Sequence, residues 1–222
     1  LFSKEPSEIQ RNDYEEICNS RLLQISKSAS KDSWIKVNPL LLRGKPHENI
    51  VQLSKDIYAR FIVMATNSSD PEHKKYSIGA TAAHVIREAS CPVLTFNGTN
   101  IREQFDTIIL PLDLTRETQQ KVSKAIEIAK YYNSTIRVVS ILLTEDEEVV
   151  SQLTNQLTVV KDFIEKRDIY TTAHIVRGSK AVGGLASFIL EYAYESDGDL
   201  IMIMINQEER PLERLLGSNT ID

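Results

Sequence analysis

The chain has 222 residues, of which 41% are hydrophobic and 26% are charged, and its net charge is -5. This profile predicts a soluble globular protein with enough material for two small cores. The negative charge argues against a nucleic-acid partner, because phosphate binding needs clustered Lys and Arg. No apolar run approaches the roughly 18 residues of a membrane span. Cys18 and Cys91 are predicted to be reduced core thiols, consistent with the cytoplasm, although a disulfide between them stays open.

The first half of the chain alternates between helical and strand-like patterns. Residues 1–31 carry a helical stripe, formed by Tyr14, Ile17, Cys18, Leu22 and Ile25. Trp34–Leu42 predicts a strand closed by Gly44, and a helix through Ile50–Ile57 follows. The next predicted elements are a strand at Phe61–Met64, a loop at Thr66–Ser77, a helix at Ile78–Ala89, and a strand at Pro92–Phe96. Asn97–Asn100 then separates two domains.

The second half repeats this alternation with longer elements. Its predicted strands are Phe105–Leu110, Ile136–Leu143, Ile169–Val176 (closed by Gly178) and Leu200–Ile205. Thr115 is placed to cap a helix at Glu117–Tyr132, with a buried stripe of Val122, Ala125, Ile126 and Ala129. The acidic cluster Glu145–Glu148 opens a helix that carries Val149, Leu153, Leu157 and Val160. Leu185, Phe188, Ile189 and Tyr192 are expected to face the core from the last helix. Alternating strands and helices indicate parallel sheets with right-handed crossovers.

Two stretches of the chain follow the same plan. Leu200–Ile205 is apolar at every position, as a strand covered on both faces requires, and a charged loop leads from it to Gly217, Ser218 and Asn219. Arg60–Asn67 is likewise followed by a charged loop and by Gly79-Ala80-Thr81. Aligning Asn67 with Asn206 gives a repeat of about 139 residues, which predicts two tandem domains.

These motifs, taken in order, make the chain similar to the universal stress protein family in its tandem two-domain form. The matching residues are ILPLDLT at Ile109–Thr115, CPVLTF at Cys91–Phe96, the strand-end glycines Gly44 and Gly178, and the helix starts GAT and GSN. The resemblance implies an α/β fold of two Rossmann-like (adenine nucleotide alpha hydrolase-like) parallel-sheet domains with helices on both faces.

The resemblance also implies the domain boundaries. Domain 1 covers residues 1–99 and lacks the family's first strand, helix and strand. Domain 2 covers residues 103–222 and lacks the last helix and strand. We therefore expect the chain to be a fragment of a longer protein.

The nucleotide motif of the family is degenerate in both halves. Nucleotide-binding members of the family share a glycine motif. Two residues separate its first glycine from its second, nine residues separate the second from the third, and Ser or Thr follows the third. In domain 2, Met204 and Gln207 stand at the first two glycine positions, and only Gly217-Ser218 fits. In domain 1, Ala65 and Ser68 stand there, and Gly79 is followed by Ala80. Both loops have lost the glycines that let backbone approach phosphate.

The candidate site residues follow from this comparison. Asp113 matches the acid that contacts the nucleoside in the family, although capping of the next helix is somewhat favoured for it. Ile141 matches an apolar contact to the base, although it is core by default. The candidate nucleotide or phosphate ligands are Asp113, Ile141, Gly217, Ser218 and Asn219, with Gly79 and Thr81 in domain 1. Glu208 and Glu209 would oppose a triphosphate, but a solvated loop of mixed charge is favoured for them.

No catalytic or metal-ligating set is predicted. Asp70, Glu72 and His73 are interpreted as polar residues of a loop, and no Ser-His-acid order stands out. An enzyme of a related nucleotide fold is therefore the least favoured function. The favoured function is a regulatory or interaction protein of the stress response with degenerate nucleotide loops and no cofactor, weak ATP binding being left open. The alternative is an ATP- or AMP-binding member that acts as a nucleotide-linked switch.

Assembly is predicted from one strand. Pro92–Phe96 should lie at a sheet edge, and an unpaired apolar edge promotes association. We expect self-association through this strand, with a further protein partner left open.

Overall fold

The structure, a computed structural model, describes residues 8–31, 35–66, 78–96, 104–113, 118–178 and 184–205. None of the described helices combines the length and the apolar character that a membrane crossing requires. The chain divides into two compact units, one of Leu1–Ile62 with Glu88–Pro92 and one of Val63–Arg87 with Val93–Asp222. These units differ from domains 1–99 and 103–222, which remain a prediction.

The described elements follow the predicted order, apart from one predicted strand. In chain order they are α1 (Glu8–Ser30), α2 (Pro46–Asp56), β1 (Ile62–Ala65), α3 (Ala80–Glu88), β2 (Val93–Phe96), β3 (Thr107–Pro111), α4 (Thr118–Tyr132), β4 (Thr135–Leu142), α5 (Glu147–Glu165), β5 (Thr171–Arg177), α6 (Leu185–Glu195) and β6 (Leu200–Ile201). Most predicted ends lie within two residues of these bounds.

The first predicted strand, Trp34–Leu42, is absent from the structure. Residues 35–42 form neither helix nor strand, and Ile35, Leu40 and Leu42 are 57%, 54% and 47% exposed. A strand needs a neighbour for its backbone N–H and C=O groups, and no described strand pairs with this segment. The apolar pattern of this segment alone was therefore not enough to predict a strand.

Helix α1 is present, but its predicted apolar stripe is not buried. Tyr14 and Ile17 are each 65% exposed, and Cys18 is exposed rather than in a core. Cys91 is half-buried, and both thiols are free. Two contacts join α1 to later residues of the same unit, an ion pair between Glu15 and Arg43 and a hydrogen bond from Ser26 Oγ to Val37 O at 2.8 Å.

Strands β1 and β2 form a two-stranded parallel sheet. Ile62 N donates to Pro92 O and Thr66 N donates to Phe96 O, both at 3.0 Å. The acceptor follows the donor by the same interval in both bonds, as parallel pairing requires. Within the described residues β2 pairs only with β1, so β2 lies at an edge of this sheet.

The larger sheet has four parallel strands in the order β5-β4-β3-β6, with helices on both faces. Alternate residues of β3 serve the two faces. Ile108 and Leu110 pack with α4 and α5, whereas Ile109 packs with Tyr192 and Ala193 of α6. The predicted α/β fold with non-alternating, doubly covered strands is confirmed here.

The helices of this unit bury the residues that their periodicity predicts. On α4 the buried stripe is Val122, Ala125, Ile126 and Ala129. Helix α5 buries Leu153, Leu157, Val160 and Ile164, whereas the predicted Val149 is only half-buried. Asp146 caps α5, because its Oδ1 accepts the Glu148 N–H at 2.9 Å. On α6, Ile189 and Tyr192 are buried, but Leu185 is 41% exposed.

The two glycines that were predicted to end strands serve different purposes, and only Gly178 follows a strand. Gly44 has φ of 121°, which L-residues rarely adopt. Gly178 is needed for space, since a Cβ there would lie 2.8 Å from Phe188 Cε2 and 2.9 Å from Leu143 Cδ2. The two glycines hold the same place in the sequence pattern, but glycine is required for backbone conformation at position 44 and for space at position 178.

Strand β6 is shorter than the predicted Leu200–Ile205. Met202 N donates to Ile109 O at 2.9 Å, and the next bond of a parallel ladder would come from residue 111 on β3. That residue is Pro111, which has no N–H. Pairing between β3 and β6 therefore ends after Ile201, although the apolar sequence continues.

Candidate functional site at the carboxyl edge of the sheet

A gap in the backbone hydrogen bonding lies between β3 and β6 at their carboxyl ends, after the bond from Met202 N to Ile109 O. Strand β3 continues to pair with β4 beyond this point, with Pro111 opposite Val139 and Leu112 N bonded to Val139 O at 2.8 Å. The helices that adjoin β3 and β6 in the chain, α4 and α6, lie on opposite faces. This gap is the topological switch point of the sheet, the usual place for a ligand in open α/β folds.

Three successive carbonyl groups at the end of β3 each accept a side-chain hydrogen bond. Pro111 O accepts from Lys121 Nζ of α4, Leu112 O from Ser140 Oγ of β4, and Asp113 O from Gln156 Nε2 of α5, each at 2.9 Å. Side chains thus replace the ladder bonds that the strand no longer makes. The backbone that carries the Asp113 carboxylate is fixed by three different elements.

Lys121 is the site residue that the sequence analysis missed. Peptide groups of alternate strand residues point to the same side, so Pro111 O points toward β6 as Ile109 O does, and the Lys121 ammonium lies on that side. Lys121 as a whole is only 8% exposed, which is rare for a lysine. The available signal was its place in the first turn of α4, where the helix dipole disfavours a cation.

The structure brings Asp113 and Ile141 to the same edge. Asp113 is exposed just after β3, and the bond from Ser140 to Leu112 joins the residues next to them in sequence. Ile141 is half-buried and packs against the cluster of Ile109 and Val139. Thr115, which bears on the capping role of Asp113, lies outside the described residues.

The glycine positions of the second loop are described only in part. Met204 is half-buried in residues 202–205, which form no strand. Gln207, Glu208, Glu209, Gly217, Ser218 and Asn219 lie outside the described residues, as do Asp70, Glu72 and His73. Their predicted roles stay predictions.

Gly79 and Thr81 lie where β1 leads into α3. Gly79 N donates to Thr66 O at 3.2 Å, and Gly79 O accepts from Ala83 N at 3.0 Å. Thr81 is half-buried in the first turn of α3. The amide that would meet a phosphate in this loop is thus already bonded to the end of β1.

Comparison with protein-family models matches residues 3–97 to the universal stress protein family. No curated protein matches the chain. A universal stress protein from Archaeoglobus fulgidus DSM 4304 is similar over 97% of this chain and 75% of that chain, with a TM-score of 0.74 and 17% identity.

Two further structures are similar at lower scores. One from Pseudomonas aeruginosa UCBPP-PA14, described under the same family name, covers 90% of this chain and 72% of that chain, with a TM-score of 0.64 and 16% identity. A universal stress protein from Archaeoglobus fulgidus in complex with dAMP covers 44% of this chain and 78% of that chain, with a TM-score of 0.38 and 20% identity. Residues 3–97 of the chain are thus similar to the universal stress protein family, and the chain shares the fold of a universal stress protein over nearly its whole length.

Proposed function

We propose that this protein is a regulatory or interaction protein of the stress response in which nucleotide binding at the Asp113 edge is weak or absent. The observation that supports this most directly is Met204, a half-buried side chain at the first glycine position of the motif. A side chain there takes space that backbone and phosphate need to approach each other. The engaged Gly79 amide supports the same conclusion for the first loop.

The expected weakening follows from the lost contacts. Two backbone–phosphate hydrogen bonds, at roughly 1.5–3 kcal/mol each, separate a micromolar site from one near the millimolar range. Calorimetric titration of the full chain with Mg-ATP and with AMP tests this. A dissociation constant at or below about 10 μM would show the proposal to be wrong.

Variants distinguish this cause from another obstruction. Met204→Gly combined with Gln207→Gly should strengthen nucleotide binding by about tenfold or more. Adding Asp113→Asn should remove part of that gain, because Asp113 lies at the same edge, whereas Asp106→Asn, an exposed acid before β3, should not. An unchanged affinity in the glycine variant would locate the obstruction elsewhere.

A nucleotide-linked switch is the second candidate. It is favoured by the fixed backbone at Asp113 and by the Lys121 charge beside the gap, since a preorganised acid and a nearby cation suit a nucleoside phosphate. The same titration decides between the two candidates.

We further propose that the protein is not an enzyme, that it acts in the cytoplasm, and that β2 mediates self-association. Only the last of these has a structural argument, the position of β2 at the edge of its described sheet. Sedimentation of wild type and of Thr95→Pro tests it, since proline in an edge strand blocks pairing. A monomeric wild type would count against association.

A further inference from the structure

Helix α1 turns one side to its own unit and leaves the other side uncovered. Its half-buried residues lie on one stripe of the helix and are Glu15, Leu22, Ser26 and Ser30. On this side Glu15 pairs with Arg43, and Ser26 bonds to Val37. Every other residue of α1 from Asp13 onward is exposed.

The uncovered side carries an apolar stripe. Tyr14 and Ile17 are each 65% exposed and Ile25 is 54% exposed, and together with Arg21 they recur every three or four residues. We call these four residues the α1 stripe. A shallow groove beside it is lined by Glu16, Ile17, Ser20, Arg21 and Gln24. The last four of these have the spacing of a hole that receives a side chain from a facing helix.

The charged residues of α1 separate by sign along the helix. From Asp13 onward the acids come first, at Asp13, Glu15 and Glu16, and the bases follow, at Arg21, Lys27 and, directly after the helix, Lys31. Two parallel copies of α1 would set like charges side by side, whereas two antiparallel copies set each acidic half against a basic half. The helix is therefore complementary in charge to a second, antiparallel copy of itself.

We propose that the α1 stripe pairs antiparallel with the α1 stripe of a second copy of this chain. With Tyr14 opposite Ile25 of the second copy, Ile17 meets the groove around the other Arg21, and Asp13 comes within one turn of the other Lys27. Helix α1 has 23 residues, about the three heptads over which paired helices sustain such a contact. The surface involves neither β2 nor the Asp113 edge, and it is independent of the function proposed above.

Sedimentation equilibrium of the full chain tests this surface. In the Thr95→Pro background, which blocks pairing through β2, dimers should persist, and Ile17→Ser should raise their dissociation constant about tenfold or more. Leu23→Ser is the matched control and should leave association unchanged, because Leu23 is 51% exposed on α1 but lies on the opposite side from Tyr14. The same two serine variants in the wild-type chain give the comparison independently of Thr95→Pro. A chain that stays monomeric up to about 100 μM, or equal weakening by both serine variants, would overturn the proposal.

Exchanging two charges separates pairing from the stability of the helix itself. Early acids and late bases also suit the helix dipole, so on that ground Asp13→Lys and Lys27→Glu would each weaken α1, and the two together would weaken it most. Pairing predicts another order. Each single change should weaken association about threefold or more, and the double variant should recover it, because position 13 again meets an opposite charge at position 27. A double variant weaker than both single variants would contradict the antiparallel arrangement.

Cys18 gives a direct readout of the contact. It is exposed, and in the proposed register the two copies of Cys18 lie three residues, or about 4.5 Å, apart along the helix axes. A short bismaleimide should therefore join two chains of Cys91→Ser through Cys18, and Ile17→Ser should lower the yield whereas Leu23→Ser should not. No crosslinked dimer at concentrations where sedimentation shows association would place the interface elsewhere.

Discussion

Asp199 and Thr107 are joined by two hydrogen bonds where β3 and β6 begin. Asp199 N donates to Thr107 O at 2.9 Å, and Asp199 Oδ2 accepts from Thr107 N at 2.8 Å. The carboxylate thus supplies the acceptor that a backbone carbonyl would supply further along a ladder. The acid before the apolar run Leu200–Ile205 is therefore a structural device that starts the pairing.

Replacing this acid should destabilise the sheet. Asp199→Ala leaves the Thr107 N–H without its acceptor, and we expect a loss of about 1–3 kcal/mol in the free energy of unfolding. Asp199→Asn keeps an oxygen acceptor and should lose less. Urea unfolding measures both, with exposed Asp106→Ala as the control, expected within about 0.5 kcal/mol of wild type. Equal effects of the alanine variants at 199 and 106 would contradict this role.

Ser140 and Ser123 form a matched pair for the carbonyl contacts at the end of β3. Each hydroxyl donates to a carbonyl at 2.9 Å, Ser140 to Leu112 and Ser123 to Gln119, but Ser140 is buried and Ser123 exposed. Ser140→Ala should cost about 1–2 kcal/mol, because the Leu112 carbonyl loses its buried donor. Ser123→Ala should be neutral or slightly stabilising, since alanine favours a helix. Unfolding curves that place Ser123→Ala below Ser140→Ala would refute the argument.

Tyr58, two residues after the end of α2, has a backbone conformation that suits glycine better. Its φ is 51°, its side chain is 91% exposed, and the bond from Ala59 N to Ser54 O at 2.8 Å closes the helix end. Tyr58→Gly should therefore raise stability by about 0.5–1 kcal/mol. Tyr131→Gly, at an exposed tyrosine inside α4, should lower it by a similar amount. Scanning calorimetry of both variants checks the opposite signs, and a destabilised Tyr58→Gly would be contrary to expectation.

The ion pair between Glu15 and Arg43 gives α1 a pH-dependent contact. The Arg43 guanidinium, chiefly through its hydrogen bond, lowers the pKa of the Glu15 carboxyl below its ordinary value, and Glu15 raises the pKa of Arg43. Because the Glu15 pKa is lower in the folded state, this contact stabilises the folded protein at pH values above the ordinary glutamate pKa. The stabilisation is lost as the pH falls through the lowered pKa. In a carboxyl NMR titration, the Glu15 pKa should rise toward its ordinary value in Arg43→Gln. Arg21→Gln is the control, because it removes the same charge from an α1 residue that bonds to Gln24, and it should leave the Glu15 pKa lowered.

Pro111 should control the length of β6. Pro111→Val restores the N–H that a further ladder bond to Met202 needs, and we expect slow hydrogen exchange at position 111 and at Met204. Fast exchange at both positions in the variant would show that another feature ends the strand.

The sequence predicts the helices and strands of the larger sheet well because their periodicity and burial agree. The stripe through Val122 and Ala129 is one example. The same kind of stripe on α1, through Tyr14 and Ile17, is exposed, because a periodic pattern shows that a helix is amphipathic but not that a neighbour covers it. The prediction of a strand at Trp34–Leu42 was wrong for the same reason, since a strand depends on a partner strand elsewhere in the chain.

The candidate site was harder to predict than the fold. Asp113 was identified by its resemblance to the family acid at the end of a strand, but the three donors that support its backbone come from α4, β4 and α5 and share no local pattern. Likewise, the early end of β6 depends on Pro111, about ninety residues earlier in the chain. Such effects belong to tertiary pairing, which a window of sequence does not contain.

The bond from Gln156 to Asp113 O makes α5 part of any event at the sheet edge. A movement of α5 along the sheet would act on the Asp113 backbone through this hydrogen bond. A ligand that preferred one position of Asp113 would therefore prefer one position of α5, and linkage would make this preference reciprocal. If a partner seated on the outer side of α5, where Val159 is 68% exposed, changed the affinity of a ligand at Asp113, that ligand would change the affinity of the partner by the same factor. The outer surface of α5 and the end of β3 would in this sense be two binding sites joined by thermodynamic linkage.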